Sequence, residues 1–123
     1  MAKKILLVED DEMLHNMYTQ KFKKHGYEVL SAYNGADGVK MAISENPDLI
    51  LLDVIMPKMD GFVALKKIRK TPALEKTPII LLTNLGQEED VRKGNELGAD
   101  DYFIKANHTP QEIVDKVKTF LKE

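Results

Sequence analysis

Four short apolar segments of this 123-residue chain each end at polar residues suited to phosphate or metal chemistry. The residues that follow these segments are acids, a hydroxyl and an ammonium: Glu9, Asp10, Asp11, Asp53, Thr83 and Lys105. Carboxylate oxygens are ligands that Mg²⁺ prefers, whereas hydroxyl and ammonium groups donate hydrogen bonds to phosphate oxygens. If the segments are parallel strands of one sheet, these side chains meet at its carboxyl edge. The sequence therefore predicts a Mg²⁺ and phosphoryl site at that edge.

The elements that must position these residues alternate between strands and helices. The apolar segments are unbroken, which is typical of strands buried on both faces of a parallel sheet. A shorter strand is predicted over residues 28–33. The segments between strands have helical spacing, and five helices are predicted: 12–25, a second between a turn at Asn34-Gly35 and Pro47, 61–70, 87–97, and a last one beginning with a capping box at Thr109.

This alternation predicts an α/β fold in which a five-stranded, doubly wound parallel sheet is built from five βα units, (βα)5. The flavodoxin-like strand order 2-1-3-4-5 is the expected one. In such sheets ligands bind beyond the carboxyl ends of the strands, where the strand order reverses. That position lies between strands 1 and 3, which end at Asp10-Asp11 and at Asp53.

Composition limits the classes of function. We expect a single domain over residues 1–123 because this length is enough for one apolar core. Eighteen basic and 20 acidic residues give a net charge of −2, which predicts no direct attraction to nucleic acid or to a membrane surface. The apolar segments are too short to span a bilayer, and the absence of cysteine fits a cytoplasmic protein.

Each candidate residue also has an ordinary structural interpretation. Asp10 or Asp11 can cap the first helix and complement its dipole, and capping does not exclude metal binding. Thr83 can be a β-branched residue ending a strand, and Lys105 a solvated surface lysine.

The histidines His15, His25 and His108 lack metal-ligand spacing and are expected at the surface or at helix caps. Met17 and Ile43 are expected on the inward faces of the first and second helices.

Two long motifs resemble the receiver domain of two-component response regulators, especially the single-domain chemotaxis type. Residues 53–61, Asp-Val-Ile-Met-Pro-Lys-Met-Asp-Gly, match that family's D-x-x-M-P-x-M-D-G segment around its phosphorylated aspartate. Residues 97–105 match its L-G-A-x-[DG]-[YF]-x-x-K segment, and the cluster of residues 9–11 resembles its acidic pair. The resemblance extends over nearly the whole chain.

The resemblance implies a signalling switch rather than an enzyme with turnover. Asp53 would accept a phosphoryl group from a histidine kinase or phosphotransfer protein, with Lys105 paired to the phosphate. Mg²⁺ would be bound directly by Asp11, Asp53 and the Ile55 carbonyl, and by Asp10 largely through water. Thr83 and Tyr102 would be the switch residues. The face of the fourth helix, fifth strand and fifth helix would then bind a downstream protein.

The sequence departs from the family pattern where proline usually follows the lysine, because Ala106 follows Lys105. A cis bond without proline costs about 3–4 kcal/mol, so a trans bond and a local rearrangement are expected. Two other functions stay open: a Mg²⁺-dependent phosphatase or phosphotransferase with an aspartyl-phosphate intermediate, and a binding module that works without phosphorylation. The aliphatic Ile55, two residues after Asp53, lies where such a phosphatase would need its second acid.

Overall fold

The apolar segments form a single parallel sheet in the computed structural model, which describes residues 2–122. The strands are β1 (Lys4–Val8), β2 (Glu28–Ala32), β3 (Leu49–Leu52), β4 (Ile79–Thr83) and β5 (Asp101–Ile104). Their order in the sheet is β2-β1-β3-β4-β5, which confirms the predicted flavodoxin-like topology. Because Val8 is level with Leu52, and Leu52 with Leu81, the carboxyl ends of the three central strands lie side by side.

Helices cover both faces of the sheet. They are α1 (Glu12–Lys24), α2 (Gly35–Glu45), α3 (Gly61–Arg69), α4 (Glu88–Glu96) and α5 (Pro110–Leu121), with short 3-10 helices over Pro72–Leu74 and Lys105–Asn107. Alternate strand residues point to opposite faces. Ile5 and Leu7 therefore join the core cluster that includes α1 and α5 residues, whereas Leu6 and Val8 join the cluster that includes α2 and α3 residues.

Short polar side chains fix where the helices begin. Asp11, Asn34 and Asp60 are the N-caps of α1, α2 and α3, and each accepts a hydrogen bond from the backbone N–H three residues later. Thr109 and Glu112 form the predicted capping box of α5. These caps satisfy N–H groups that have no partner inside the helix, and they thereby fix the residue at which each helix begins.

The inward face of α1 differs from the prediction in one member, because His15 lies there and Met17 does not. His15 is buried at 1% exposure and shares a stripe with Tyr18 and Phe22, while Met17 is 39% exposed. The spacing of three and four residues from His15 to Tyr18 to Phe22 is that of one helix face. On α2, Ile43 is 54% exposed, so its predicted inward position is wrong as well.

The connection after β5 follows the expectation from Ala106. No cis peptide bond is present within residues 2–122, so the Lys105–Ala106 bond is trans, and the chain forms a 3-10 helix over Lys105–Asn107 before α5. Over the same described range, no helix is both long enough and apolar enough to cross a membrane.

Candidate functional site

Three carboxylates meet where the strand order reverses. Ligand oxygens of Glu9, Asp10 and Asp53 lie within 4.8 Å of one another. Glu9 and Asp10 follow β1 directly, and Asp53 follows β3 directly. The Asp53 backbone N–H donates to the Val8 carbonyl at 3.0 Å, so the pairing of the two strands continues to the site itself.

Asp53 is held in one orientation. Its side chain is 8% exposed; Oδ1 accepts a hydrogen bond from the Val54 backbone N–H at 2.7 Å, and Oδ2 accepts one from Lys105 Nζ at 3.0 Å. Lys105 Nζ also donates to Glu9 Oε1. Lys105 therefore connects the end of β5 to the ends of β1 and β3, and it reaches the site although no proline follows it.

Burial and charge act in opposite directions in this group. Burial raises the pKa of Glu9, and the hydrogen bond from Lys105 only partly offsets that effect. Burial alone would lower the pKa of Lys105, but its hydrogen bond to Glu9 and the charge of Asp53 raise it above the ordinary value. The group holds three carboxylates and one ammonium, so the site keeps an excess of negative charge that a divalent cation can neutralise.

The identity of the third acid differs from the sequence expectation. Asp11 is exposed, lies outside the three-carboxylate group and caps α1, because its Oδ1 accepts the Leu14 backbone N–H at 3.0 Å. Glu9, which was not expected among the ligands, is 2% exposed and takes its place. Since β1 ends at Val8, Glu9 and Asp10 are the first residues beyond the edge, and Asp11 already belongs to the helix start.

The loop after Asp53 folds back tightly on the strand. The Gly61 backbone N–H donates to the Val54 carbonyl at 2.7 Å, and a Cβ on Gly61 would lie 2.1 Å from the Asp53 carbonyl oxygen. No side chain fits there, which explains the glycine that ends this motif. The Ile55 side chain is 60% exposed in the same loop.

Thr83 and Tyr102 lie on the β4 and β5 side of the site. Thr83 is fully buried, and its Oγ1 accepts the Leu85 backbone N–H at 3.3 Å. The Tyr102 hydroxyl donates to the Leu85 carbonyl at 2.6 Å. Burial, reinforced by the charges of Asp90 and Asp53, raises the pKa of Tyr102 to about 12. Leu85 therefore links the residue that ends β4 with the aromatic ring on β5.

His15, expected at the surface or at a helix cap, is instead a buried neighbour of the site. Its Nδ1 pairs with the Glu9 carbonyl at 2.9 Å, and its ring stacks on Tyr33 with 4.3 Å between centroids. Because a carbonyl oxygen only accepts, Nδ1 carries the hydrogen, and burial lowers the pKa of the imidazole. The contact fixes the backbone of Glu9 beside the acidic group.

An acidic pocket at the reversal point of a 2-1-3-4-5 sheet defines a class of α/β domain that binds at the carboxyl ends of its strands. Residues 5–118 match the model of the response regulator receiver domain. The chain belongs to that family. Receiver domains are the signalling switches of two-component systems: they interact with histidine kinases and downstream targets, and their state depends on phosphorylation.

Individual relatives agree with this family. The chain is 40% identical over 122 residues to the alkaline phosphatase synthesis transcriptional regulatory protein PhoP of Bacillus subtilis; the match covers 99% of this chain and 50% of PhoP. The chain thus spans about half the length of that relative. It also resembles the chemotaxis protein CheY4 of Vibrio cholerae, with 28% identity, a TM-score of 0.91, and coverage of 98% of this chain and 99% of the other. The BeF3-activated N-terminal receiver domain of Klebsiella pneumoniae RstA gives 29% identity, a TM-score of 0.89, and coverage of 98% and 99%.

Proposed function

We propose that residues 1–123 act as a single receiver domain in which Asp53 accepts a phosphoryl group from a histidine kinase or a phosphotransfer protein. The observation that carries this proposal is the setting of Asp53. It is an almost buried carboxylate at a strand end, oriented by the Val54 N–H and Lys105, with two further acids beside it. We assign this exchange to the cytoplasm, with no direct contact to nucleic acid or membrane.

Glu9, Asp10 and Asp53 would hold Mg²⁺, and the Ile55 carbonyl would be a further ligand. The donor set fits because Mg²⁺ takes hard oxygen ligands and is usually held by a few carboxylates together with water and phosphate oxygens. Bound Mg²⁺ supplies positive charge that offsets the charge of the acids and of an incoming phosphoryl group. Asp11, assigned a direct bond by the family resemblance, serves instead as the helix cap that the structure gives it.

In the transfer step, an Asp53 carboxylate oxygen attacks the phosphorus of a donor phosphohistidine. A P–O bond forms as the P–N bond breaks, and the electron pair of the broken bond returns to the imidazole nitrogen. Lys105 moves its hydrogen bonds from the carboxylates to the new phosphoryl oxygens, which are stronger acceptors. Thr83 lies at the end of the adjacent strand and donates its hydroxyl hydrogen to the same group.

Output depends on a population shift between two arrangements of β4, β5 and α4. When the Thr83 side chain turns toward the phosphoryl group, the contacts it makes near Leu85 change, and Leu85 is the acceptor for Tyr102. The face formed by α4, β5 and α5 then changes its affinity for a downstream protein.

The chain catalyses only its own phosphotransfer and its own dephosphorylation. Dephosphorylation is slow because the aliphatic side chains of Ile55 and Leu85 cannot orient water.

Mass spectrometry after incubation with acetyl phosphate tests the assignment. We expect one added phosphoryl group in the presence of Mg²⁺, none after chelation, and none in Asp53→Asn. Asp115→Asn, an exposed aspartate on α5, is the matched control and should react like the wild type. A label on a residue other than Asp53, or no label with several small donors, would contradict the proposal.

Mg²⁺ titration of single variants decides whether Glu9 or Asp11 is the ligand beside Asp10. Glu9→Gln and Asp10→Asn should each weaken Mg²⁺ binding at least about tenfold, since each removes a charged oxygen ligand. Asp11→Asn should bind Mg²⁺ nearly as well as the wild type, because asparagine also caps helices well. If Asp11→Asn is the variant that loses Mg²⁺, the assignment of Glu9 is wrong.

A further inference from the structure

Gly94 lies at the point where α4 approaches the sheet most closely. It is the one buried residue of α4, whose range Glu88–Glu96 is fully described. A Cβ added at this position would lie 2.8 Å from Leu81 Cδ1 and 3.2 Å from Tyr102 Cδ2. The first distance is shorter than carbon atoms tolerate, and the second is tight. Leu81 and the ring of Tyr102 therefore both occupy space that a side chain at position 94 would need.

Glycine in the middle of a helix is unfavourable, because it loses more backbone freedom on folding than alanine does. Its presence here therefore calls for a local reason. Gly94 is not among the described residues with a positive φ, so a left-handed backbone conformation does not explain the glycine. The close approach of Leu81 and Tyr102 explains it, since only the absence of a side chain leaves room for both.

The two neighbours of Gly94 differ in how easily they can move. Leu81 is fully buried, in the middle of β4, within the core cluster on the α2 and α3 side. Tyr102 is only half-buried, and its hydroxyl is held by the hydrogen bond to the Leu85 carbonyl at 2.6 Å. A close-packed interior resists displacement, whereas a ring with a solvent-facing side can rotate outward. An added methyl group should therefore displace the ring.

We propose that Gly94 is a positioning residue for the Tyr102 switch: the missing side chain on α4 is what lets the ring lie inward with its hydroxyl on Leu85. The inference deepens the proposed function and rests on it for the role of Tyr102, but the packing relation holds without phosphate. Gly94→Ala should shift the unphosphorylated protein toward a second arrangement in which the ring is rotated outward, away from Leu85. The identity of residue 94 then sets how much of the protein keeps the contact between Tyr102 and Leu85.

The test uses NMR on the intact chain without any phosphodonor. In the wild type, nuclear Overhauser contacts should connect the Tyr102 ring hydrogens to Leu85 and to Gly94. In Gly94→Ala the contact to Leu85 should fall by about half or more as the ring populates the outward position. Asn95→Ala changes the next, exposed residue of the same helix and should leave that contact unchanged.

The outcomes separate the inference from the proposed function. If the ring of Gly94→Ala keeps its contact to Leu85, either because α4 moves away or because Leu81 yields, the inference is overturned. If Gly94→Ala does not fold, the same contact is measured in Gly94→Ala combined with Leu81→Val, where only Tyr102 remains in the way; an inward ring there also overturns it. Failure of the wild type to accept phosphate on Asp53 would instead contradict the proposed function and leave the ring measurement intact.

Discussion

The helices α4 and α5 flank the same strand, β5, yet they are held in place very differently. Both begin with a capping box, formed by Gln87 and Asp90 in α4 and by Thr109 and Glu112 in α5. The helix α5 buries four apolar side chains, at positions Ile113, Val114, Val117 and Leu121. The helix α4 buries only Gly94, which has no side chain to bury. Burial of apolar surface is the main source of helix stability in a folded protein.

The C-terminal part of α4 and the loop that follows it are tied to α3. Arg69, on α3, donates from Nε to the Gly98 carbonyl at 2.9 Å and from Nη2 to Asp100 at 2.7 Å. Lys93 lies over the Phe62 ring with 4.7 Å to its centroid. The N-terminal turn of α4 is held by its own capping box. We therefore expect α4 to change position at low energetic cost, with its C-terminal end as the fixed point, while α5 stays in place.

The largest effect is expected from removing the apolar anchors of α5. Ile113→Ala should lower the free energy of unfolding by about 2–5 kcal/mol, because a fully buried side chain is lost and a cavity remains. Val91→Ala on the half-buried face of α4 should cost well under that amount. Urea unfolding of both variants measures the difference. Equal losses in the two variants would mean that α4 is as firmly packed as α5, and the comparison would fail.

A smaller effect is expected at the fixed end of α4. Arg69→Met keeps the aliphatic stem but removes the donors to the carbonyls of Gly98, Leu74 and Thr77, whose distances are 2.9, 2.9 and 2.7 Å. Leaving such groups unsatisfied should cost about 1–3 kcal/mol. Hydrogen exchange should become faster at the C-terminal end of α4 and stay unchanged in α5. Lys67→Met, an exposed cation on the same helix as Arg69, is the control; if it matches Arg69→Met, the anchoring role is wrong.

The fold was predictable because its signals are local and repeated. Unbroken apolar strands and capped helices follow from hydrophobic period and capping residues, and the (βα)5 alternation leaves few topologies. The carboxyl-edge location of Asp53 and Lys105 followed from the same pattern. The types of residue at the strand ends suggested phosphate chemistry, and the family motifs supported that expectation.

The errors concern which of two nearby residues faces the site or the core. Whether Glu9 or Asp11 joins Asp10 depends on the last residue of β1, and three acids in a row give no internal signal for that boundary. His15 takes the inward position expected for Met17 although α1 begins at Glu12 as predicted. Residue type favoured the apolar Met17, whereas the contact that satisfies His15, between its Nδ1 and the Glu9 carbonyl, is tertiary and leaves no mark in the local pattern. Strand boundaries such as the end of β1 are likewise set by tertiary pairing, and sequence patterns locate them only to within a few residues.

A still smaller effect is expected at the start of α5. Thr109→Ala removes the oxygen that accepts the Glu112 backbone N–H at 3.2 Å and should cost about 1 kcal/mol. Asp90→Ala removes the carboxylate that accepts the Gln87 backbone N–H at 3.3 Å in the cap of α4. Because α4 contributes little buried surface, that change should loosen α4 locally and affect global unfolding less. Urea unfolding combined with hydrogen exchange checks both variants; a larger global loss from Asp90→Ala would reverse the assigned order of the two helices.

The smallest effect is a pH dependence of the α5 cap. The hydrogen bond from the Thr109 backbone N–H to Glu112 Oε1, at 2.9 Å, is the main cause that lowers the pKa of the Glu112 carboxyl below its ordinary value of 4.5. A carboxyl whose pKa is lower in the folded state binds protons more tightly in the unfolded state. Its contribution to stability is therefore present above pH 4.5 and is lost as the pH falls through the lowered folded value.

Glu112→Gln isolates this contribution, because the glutamine amide oxygen still accepts from Thr109 but does not titrate between pH 7 and 3. The wild type should be slightly more stable than Glu112→Gln at neutral pH, and the difference should shrink below pH 4.5. The side-chain carboxyl resonance of Glu112, followed by NMR, should give a midpoint below 4.5. A midpoint at or above that value would show that the cap does not prefer the charged carboxylate. At each pH the exchange rates of the α4 amides should be the same in Glu112→Gln as in the wild type, because Glu112 belongs to the cap of α5 and not to that of α4.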